Sequence, residues 1–394
     1  MANPLRILTV YQTNPLAAGQ GGGVRYVRNL LAEQRNFCDE VLFFGVGPRA
    51  ESAEHLRFLP LTAELGGYPR FLFKLGWKLL FLDAKDYALV HVHRLYFAIP
   101  FLLLKPKLPV VCTLHGRTFS VFGDRFGGAW LKLVMPIFKA IERFALKRVR
   151  RLVPVSQDVL RSFEDKYPEL MASRRQDTSI IGSMLDLDDF GVRDSDYLQR
   201  RYGAQNRYLV FLGRLSAVKD VDFLLRLFAE RFQEQPDVKL VLVGSGEEEQ
   251  RLRQAAQALC PTNAPIFHGA ISPDDVPELL NSAHLLLLTS QHEASPTIVK
   301  EALASGLPVL SNRVGDVEDF IVPGENGHVL PKDIASYGDA IQALLAEPLA
   351  ATEVARVSAE ALGHCTRQRV GKRYLELYED LLPKGCDQAM GSVH

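Results

Sequence analysis

Short apolar runs alternate with stretches of helical period along almost the whole chain. In the first half, RILTVY, EVLFFGV, ALVHVH, PVVCTL and RLVPVS read as strands. VRYVRNLLAEQRN, with Tyr26, Val27, Leu30 and Leu31 on one face, reads as a helix. The second half restarts the pattern with RYLVFLG, VKLVLVG, APIFHG, HLLLLTS and LPVLSN, separated by helical stretches such as DFLLRLFAERFQEQ and EEEQRLRQAAQAL. Runs that are apolar throughout, rather than alternating, belong to parallel strands covered on both faces by helices. There are too many of them for one compact sheet, so the pattern predicts an α/β protein with two Rossmann-like parallel-sheet domains facing a central cleft. The polar stretch from Asp186 to Asn206, with Asp188, Asp189, Asp194 and Asp196, supplies the break. That places the first domain over 1–190, a linker over 191–206, the second domain over 207–365 and a C-terminal segment over 366–394.

Composition narrows the class. With 47% hydrophobic and 23% charged residues, the 394-residue chain is ordinary globular material, which argues against disorder. Cys38, Cys112, Cys260, Cys365 and Cys386 are widely spaced with no CxxC pair, so a disulfide framework or structural zinc site is not expected and a reducing compartment is favoured. The apolar runs fall short of the roughly 18 residues a membrane span needs. MANPLRILTV lacks the features of a secretory signal. A cytoplasmic protein is expected.

Net charge is zero, yet the residues through Phe190 hold 26 Lys+Arg against 18 Asp+Glu, and the remainder 20 against 28. The basic excess concentrates in KLVMPIFKAIERFALKRVRR, with Lys132, Lys139, Arg143, Lys147, Arg148, Arg150 and Arg151. FLFKLGWKLLF adds Lys74 and Lys78 among aromatics. Such segments are either solvated helix faces or surfaces for anionic lipid, which would put the protein at the inner face of a membrane. Nucleic acid fits poorly, because the cations do not alternate with stacking aromatics.

In open parallel sheets, ligands bind beyond the carboxyl ends of the strands, so the loops there are where chemistry is sought. The first strand leads into QTNPLAAGQGGG, where Gly19, Gly21, Gly22 and Gly23 directly precede a helix. Glycines let the backbone approach a ligand, and helix-start N–H groups suit a phosphate. The glycines lie too far beyond the strand for a dinucleotide fingerprint. FLGRLSAVKD places Gly213, Arg214 and Lys219 at a strand exit, where two cations can clamp a diphosphate. In HLLLLTSQHEASPTIVKEALASGLPVLSN, Ser295 reads as an N-cap, Pro296 as the first helical residue and Gly306 as the stop. Glu293 then lies in the loop and Glu301 about one and a half turns into the helix. TLHGRTF sets His115, with Gly116 and Arg117, directly after the PVVCTL strand, as a site residue or as a structurally satisfied one.

In order and spacing these residues resemble a family 4 glycosyltransferase of GT-B architecture. The match runs through the glycine loop, the His115 loop, VPVSQDV, FLGRLSAVKD, LVGSGEEEQRL, FHGAIS, the block from Glu293 to Glu301, RVGDVEDFIVPGENGHVL and the closing RVGKRYLELYEDLL helix. The resemblance implies a retaining transfer of a hexose-type sugar from a UDP- or GDP-sugar to a glycan or lipid-linked hydroxyl, as in polysaccharide or lipopolysaccharide biosynthesis. It assigns Glu301 to the ribose hydroxyls. Glu293 and the backbone of Ser295, Pro296, Thr297 and Ile298 go to the sugar and phosphates, Arg214 and Lys219 to the diphosphate. Gly22 and Gly23 would meet the diphosphate from the other domain, His115 would lie near the reacting sugar, and Gly269 and Ile271 would border the base. The final helix would cross back onto the first domain. IIGSMLD, with Gly182, Ser183 and Met184, and EASP differ from the family's common forms, and both bear on donor identity. No cofactor is implied, since the nucleotide sugar is a substrate, and the Asp-x-Asp strings at Asp186, Asp194 and Asp220 are not read as a metal site. An NAD-dependent oxidoreductase and a non-catalytic nucleotide-sugar-binding module are the alternatives.

Overall fold

The computed structural model describes residues 5–16, 22–64, 67–116, 129–187 and 189–382, the side chains of 129–134 excepted. Gly19, Gly21, Arg117, Asp188 and Cys386, singled out above, lie outside these residues, as does the side chain of Lys132. Two units are formed. Residues through Met184 and those from Arg367 onward make one, and Leu185–Thr366 makes the other.

Among the described residues, the first unit holds a seven-stranded sheet. Its strands are β1 (Arg6–Val10), β2 (Glu40–Val46), β3 (Glu51–Ala53), β4 (Leu56–Thr62), β5 (Leu89–Val92), β6 (Val110–Leu114) and β7 (Arg151–Pro154), in the order β3-β4-β2-β1-β5-β6-β7. All pairs are parallel except β3 with β4. Every residue of VVCTL in β6 is buried, as a strand covered on both faces requires. The apolar-run reading missed β3 and β4. Pro60 interrupts β4, and the pairing with β2 slips one residue just past it, from Gly45↔Pro60 to Val46↔Thr62. A bulge is where a sheet tolerates proline.

The second unit's sheet contains β8 (Arg207–Leu212), β9 (Val238–Val243), β10 (Ile266–Gly269), β11 (Leu285–Leu288), β12 (Val309–Asn312) and β13 (Gly327–Leu330). All are parallel, in the order β10-β9-β8-β11-β12-β13. Counted from β8 this is the 3-2-1-4-5-6 order of a Rossmann sheet, and its switch point lies between β8 and β11. Alternate residues serve opposite cores. Val210, Leu286 and Leu288 join one with the helix Thr297–Ala304, while Leu209, Phe211, Leu285 and Leu287 join the other with the helix Val221–Arg231. The four-residue β13 was not read as a strand.

The divide between the units falls at Met184/Leu185 rather than at 190/191, and 191–206 is not a separate linker. Tyr197–Tyr202 is a helix whose Tyr197 and Leu198 are buried in the second core. Ser195 Oγ donates to Glu278 O at 2.8 Å, and the Arg193 N–H donates to Asn281 Oδ1 at 2.8 Å. The aspartates made this stretch look solvated, but its apolar pair decides its place. The return to the first unit begins at Arg367, with the helix Arg367–Glu379 packed on the helix Gly22–Gln34. Arg367 Nε donates to Glu33 Oε1 at 2.7 Å, and the hydroxyls of Tyr26 and Tyr374 meet at 2.7 Å.

One glycine sets how closely the strand-exit loops pack. Gly244, at the end of β9, has φ +127°, and a Cβ there would lie 2.0 Å from the carbonyl oxygen of Gly213. We therefore expect Gly244→Ala to lower the unfolding free energy by ~3 kcal/mol, from left-handed strain plus overpacking. A urea titration measures it, and an unchanged midpoint would mean that the loops separate freely.

Candidate active site

At the switch point of the second sheet, two loops distant in sequence interlock. β8 continues into Gly213, Arg214 and a 3-10 turn over Ala217–Lys219, and β11 continues into Thr289–Glu293. The Gln291 N–H donates to Val218 O at 2.7 Å. Thr289 Oγ1 donates to the carbonyls of Lys219 and Asp220 at 3.4 and 3.3 Å. The Lys219 ammonium donates to Glu293 Oε1, which also accepts from Ser290 Oγ at 2.7 Å. Asp220 sits in the left-handed region (φ 47°, ψ 51°), and its Oδ2 accepts from Lys332 Nζ at 2.6 Å. Arg214 is held differently. Its Nε donates to Glu247 Oε2 at 2.9 Å, with both side chains exposed. An exposed pair contributes little, so the guanidinium is able to exchange partners at small cost.

The helix after β11 begins at Thr297 with Pro296 as an extended N-cap, so Ser295 is not the cap that its residue type suggested. Its hydroxyl instead donates to Asp316 Oδ2 at 2.6 Å and accepts from Lys300 Nζ at 2.5 Å. Lys300 is 0% exposed, donates to Asp316 Oδ2 at 2.7 Å and lies 4.4 Å from the centre of the Phe320 ring. This buried pair underlies the 295–297 turn, and the sequence reading missed it. The available signal was a lysine inside the apolar segment TIVKEALA, where a charge demands a partner. Glu301 is 2% exposed, in the second turn. The first-turn N–H groups, from Thr297 and Ile298 on, have no partner within the helix. The helix closes with Gly306 at φ +75°, the Leu307 N–H on Ala302 O and the Gly306 N–H on Leu303 O, the two bonds of a Schellman stop.

Gly269 and Ile271 stand two strands away, at the carboxyl end of β10. The Gly244 N–H donates to Gly269 O at 2.8 Å, and Ile271 packs on the core. The structure thus brings Lys219 and Glu293 into contact, sets Arg214 on the same loop as Lys219, and leaves Gly269 and Ile271 further along the same sheet end.

In the first unit, the exits of three neighbouring strands each begin with a ring: Tyr11 after β1, His93 after β5 and His115 after β6. His115 Nε2 and His93 Nδ1 are 3.0 Å apart, with the rings stacked at 5.3 Å. Tyr26 meets His115 edge-on at 4.9 Å. Gly22 and Gly23 are the first helical residues rather than a loop ahead of the helix, and a Cβ on Gly23 would lie 2.6 Å from the Tyr11 hydroxyl. Behind His93, a buried ladder continues. His91 stacks at 4.3 Å, and its Nδ1 and Nε2 lie 2.7 Å from the hydroxyls of Tyr378 and Thr113. Thr113 Oγ1 is 2.8 Å from the Tyr374 hydroxyl. The HVH triplet was the signal, since alternate residues of a strand share a face.

Burial pushes His91 down to about 3 and His93 well below the ordinary histidine range. Burial, with the Arg94 charge, does the same to His115, also to about 3. The three imidazoles are therefore neutral near pH 7, and His115 presents one donor and one acceptor rather than a cation. Among the described residues, no group of three or more His, Cys, Asp or Glu side chains is placed to hold a metal ion. Among them, too, no helix is long and apolar enough to cross a membrane.

A family model described as Glycosyltransferase Family 4 matches residues 20–187, and one described as Glycosyl transferases group 1 matches residues 199–361. The chain is a family 4 glycosyltransferase. Membership sets aside the oxidoreductase alternative. N-acetyl-alpha-D-glucosaminyl L-malate synthase of Bacillus anthracis is 26% identical over 300 residues, 75% of this chain and 74% of the relative. GDP-mannose-dependent alpha-mannosyltransferase of Mycobacterium tuberculosis is 36% identical over 138 residues, 35% of this chain and 34% of the relative. Among solved structures, sucrose-phosphate synthase from Thermosynechococcus elongatus superposes with TM-score 0.78 at 20% identity, over 96% of this chain and 99% of that one. Anabaena HepE in complex with UDP-glucose superposes with TM-score 0.74 at 20% identity, over 95% of this chain and all of that one. The family's GT-B fold is therefore the fold of this chain.

Two outcomes are expected. Lys300→Met should cost about 3–5 kcal/mol in urea unfolding by stranding the Asp316 carboxylate, and adding Asp316→Leu should recover much of it. An unfolded chain protonates its histidines near pH 6.5, whereas folded His91 and His93 resist until far lower. The unfolded state then binds more protons in that window, so stability falls as the pH drops below about 6.5, by up to ~1.4 kcal/mol per pH unit for each imidazole. Melting curves between about pH 7.5 and 5.5 measure this, and His93→Gln should flatten the slope.

Proposed function

We propose that this family 4 enzyme transfers a hexose-type sugar, with retention of anomeric configuration, from a UDP- or GDP-sugar to a hydroxyl of a glycan or lipid-linked acceptor in polysaccharide or lipopolysaccharide biosynthesis. The observation that carries the reading is the switch-point cluster, in which Lys219, Glu293 and Ser290 interlock beside the start of the Thr297–Ala304 helix. Support also comes from a relative whose name specifies GDP-mannose and from a fold neighbour in complex with UDP-glucose.

In this reading the bond between the anomeric carbon and the diphosphate oxygen breaks as the acceptor oxygen bonds to that carbon on the same face. The acceptor proton passes to the departing phosphate oxygen. Negative charge grows on the diphosphate, where Lys219, Arg214 and the N–H groups of Thr297 and Ile298 stabilise it, commonly the largest single contribution to such a step. Lys219 is already oriented by Glu293, so little reorganisation accompanies the charge. Arg214 leaves its exposed partner Glu247 to join the phosphates. Glu301 accepts from the ribose hydroxyls, and Gly213, Gly269 and Ile271 border the nucleotide. Glu293, with the backbone of Ser295 and Pro296, faces the sugar. Gly22 and Gly23 act on the diphosphate, and neutral His115 acts on the transferred sugar as a hydrogen-bond partner.

A thermal-shift series with UDP, GDP, ADP, their sugar conjugates and NAD tests the donor, since a ligand that binds only the folded state raises Tm by mass action. Stabilisation by one nucleotide-sugar class is expected, and stabilisation by NAD alone would overturn the reading. Glu301→Ala should raise the donor Kd at least about tenfold with a smaller effect on kcat. Arg214→Ala should cut kcat about a hundredfold and leave KM nearly unchanged. The reverse pattern in steady-state kinetics would reassign both residues.

A further inference from the structure

We propose that the outer face of the helix Tyr68–Leu80 docks the first unit on the surface of an anionic lipid bilayer. The inner face of this helix is settled, because Phe71, Leu75 and Leu79 recur every fourth residue and are fully buried. The opposite face should be polar in a solvated helix. Instead it carries Phe73 (73% exposed), Trp77 (58%) and Leu80 (55%), continued by Phe81 (76%) just past the helix end, with the Trp77 and Phe81 rings 5.7 Å apart. The helix Ala98–Leu104 packs beside it and adds exposed Leu103 and Leu104. Lys105 Nζ ties the two by donating to Leu82 O at 2.6 Å. Large apolar side chains gathered on one exposed face mark an interaction site.

Charge identifies the occupant. Arg70, Lys74 and Lys78 run along one flank of the aromatic face, and residues 67–82 contain no Asp or Glu; Asp83 and Asp86 come only after the helix. A helix with aromatics on one side, flanked by cations, has the makeup of an interfacial helix lying in the headgroup layer, where acidic lipids attract each nearby Lys or Arg. A second copy of this chain fits less well. A two-fold interface sets each patch against itself, so the three cations would meet their own kind with no carboxylate between them. This extends the acceptor reading above toward lipid-linked substrates. Vesicle binding is measured without donor or turnover, so either can fail without the other.

The test uses the full chain carrying Trp130→Phe, which leaves Trp77 as the single tryptophan. It is sedimented with phosphatidylcholine vesicles that contain about a third phosphatidylglycerol, and with vesicles of phosphatidylcholine alone. Binding to the anionic vesicles with a blue shift of Trp77 emission, weakening as salt rises, is expected. Lys74→Glu with Lys78→Glu, and separately Phe73→Ser with Phe81→Ser, should each reduce vesicle binding at least about tenfold, with the far-ultraviolet circular dichroism unchanged. No binding at low salt would overturn the proposal, as would binding that survives both pairs of changes. A dimer in sedimentation velocity that Phe73→Ser with Phe81→Ser dissolves, without vesicle binding, would assign the face to self-association instead.

Discussion

Leu285 to Leu288 are buried, with alternate side chains committed to opposite cores, and the central strands β5 and β6 of the first sheet are likewise buried along their whole length. A strand covered on both faces cannot turn back on itself as a hairpin. The chain must cross over through a helix and re-enter parallel, so strand exits accumulate at one end of each sheet. Where the order reverses, two neighbouring exits lead into helices on opposite faces and the loops between them are left without a cover. Lys219 and Glu293, 74 positions apart, meet there because the apolar strands behind them leave no other arrangement. Tyr11, His93 and His115 are gathered in the same manner around β1, β5 and β6.

The two sheet ends carry different electrostatics on the same scaffold. The second unit offers cations at graded depth: Arg214 exposed and loosely partnered, Lys219 half-covered and oriented, Lys300 wholly buried and spent on Asp316. The depth at which each sits suits the role proposed for it. A mobile guanidinium is able to follow a moving charge, an oriented ammonium needs no rearrangement, and a buried ion pair holds a turn in place. The first unit offers a column of neutral rings at its exits, with the Arg94 charge beside Tyr11 and His115. Their hydrogen bonds run from His91 to Tyr378 and Thr113, and on through Tyr374 to Tyr26.

The architecture was legible wherever a local pattern determines the outcome. Continuous runs such as VVCTL and LLLL announced both sheets, and the glycine-rich and Arg-Lys loops announced the strand exits. What escaped was tertiary. Ser295 has the right residue type for a cap, but Lys300 and Asp316 compete for its hydroxyl, and that competition is visible only once the 316 loop folds beside the helix. The mixed segment LRFLPLT is not a continuous apolar run, and the bulge that accommodates Pro60 in β4 is visible only in the pairing with β2. Tyr197 and Leu198 were outvoted in the sequence by the aspartates around them, yet burial of two side chains outweighs solvation of several. The partners of His91 lie up to 287 positions away, beyond the reach of any window.

The membership of Arg367–Glu379 in the first unit has a consequence for synthesis. Leu185–Thr366 is one uninterrupted stretch and holds all the strands of its own sheet as soon as it has left the ribosome. The first unit, begun earlier, waits for its last helix. At ordinary elongation rates that interval is on the order of tens of seconds. Throughout it, His91, Gln34 and Thr113 lack the tyrosine hydroxyls that satisfy them in the finished protein. The part of the molecule translated first is therefore the part completed last.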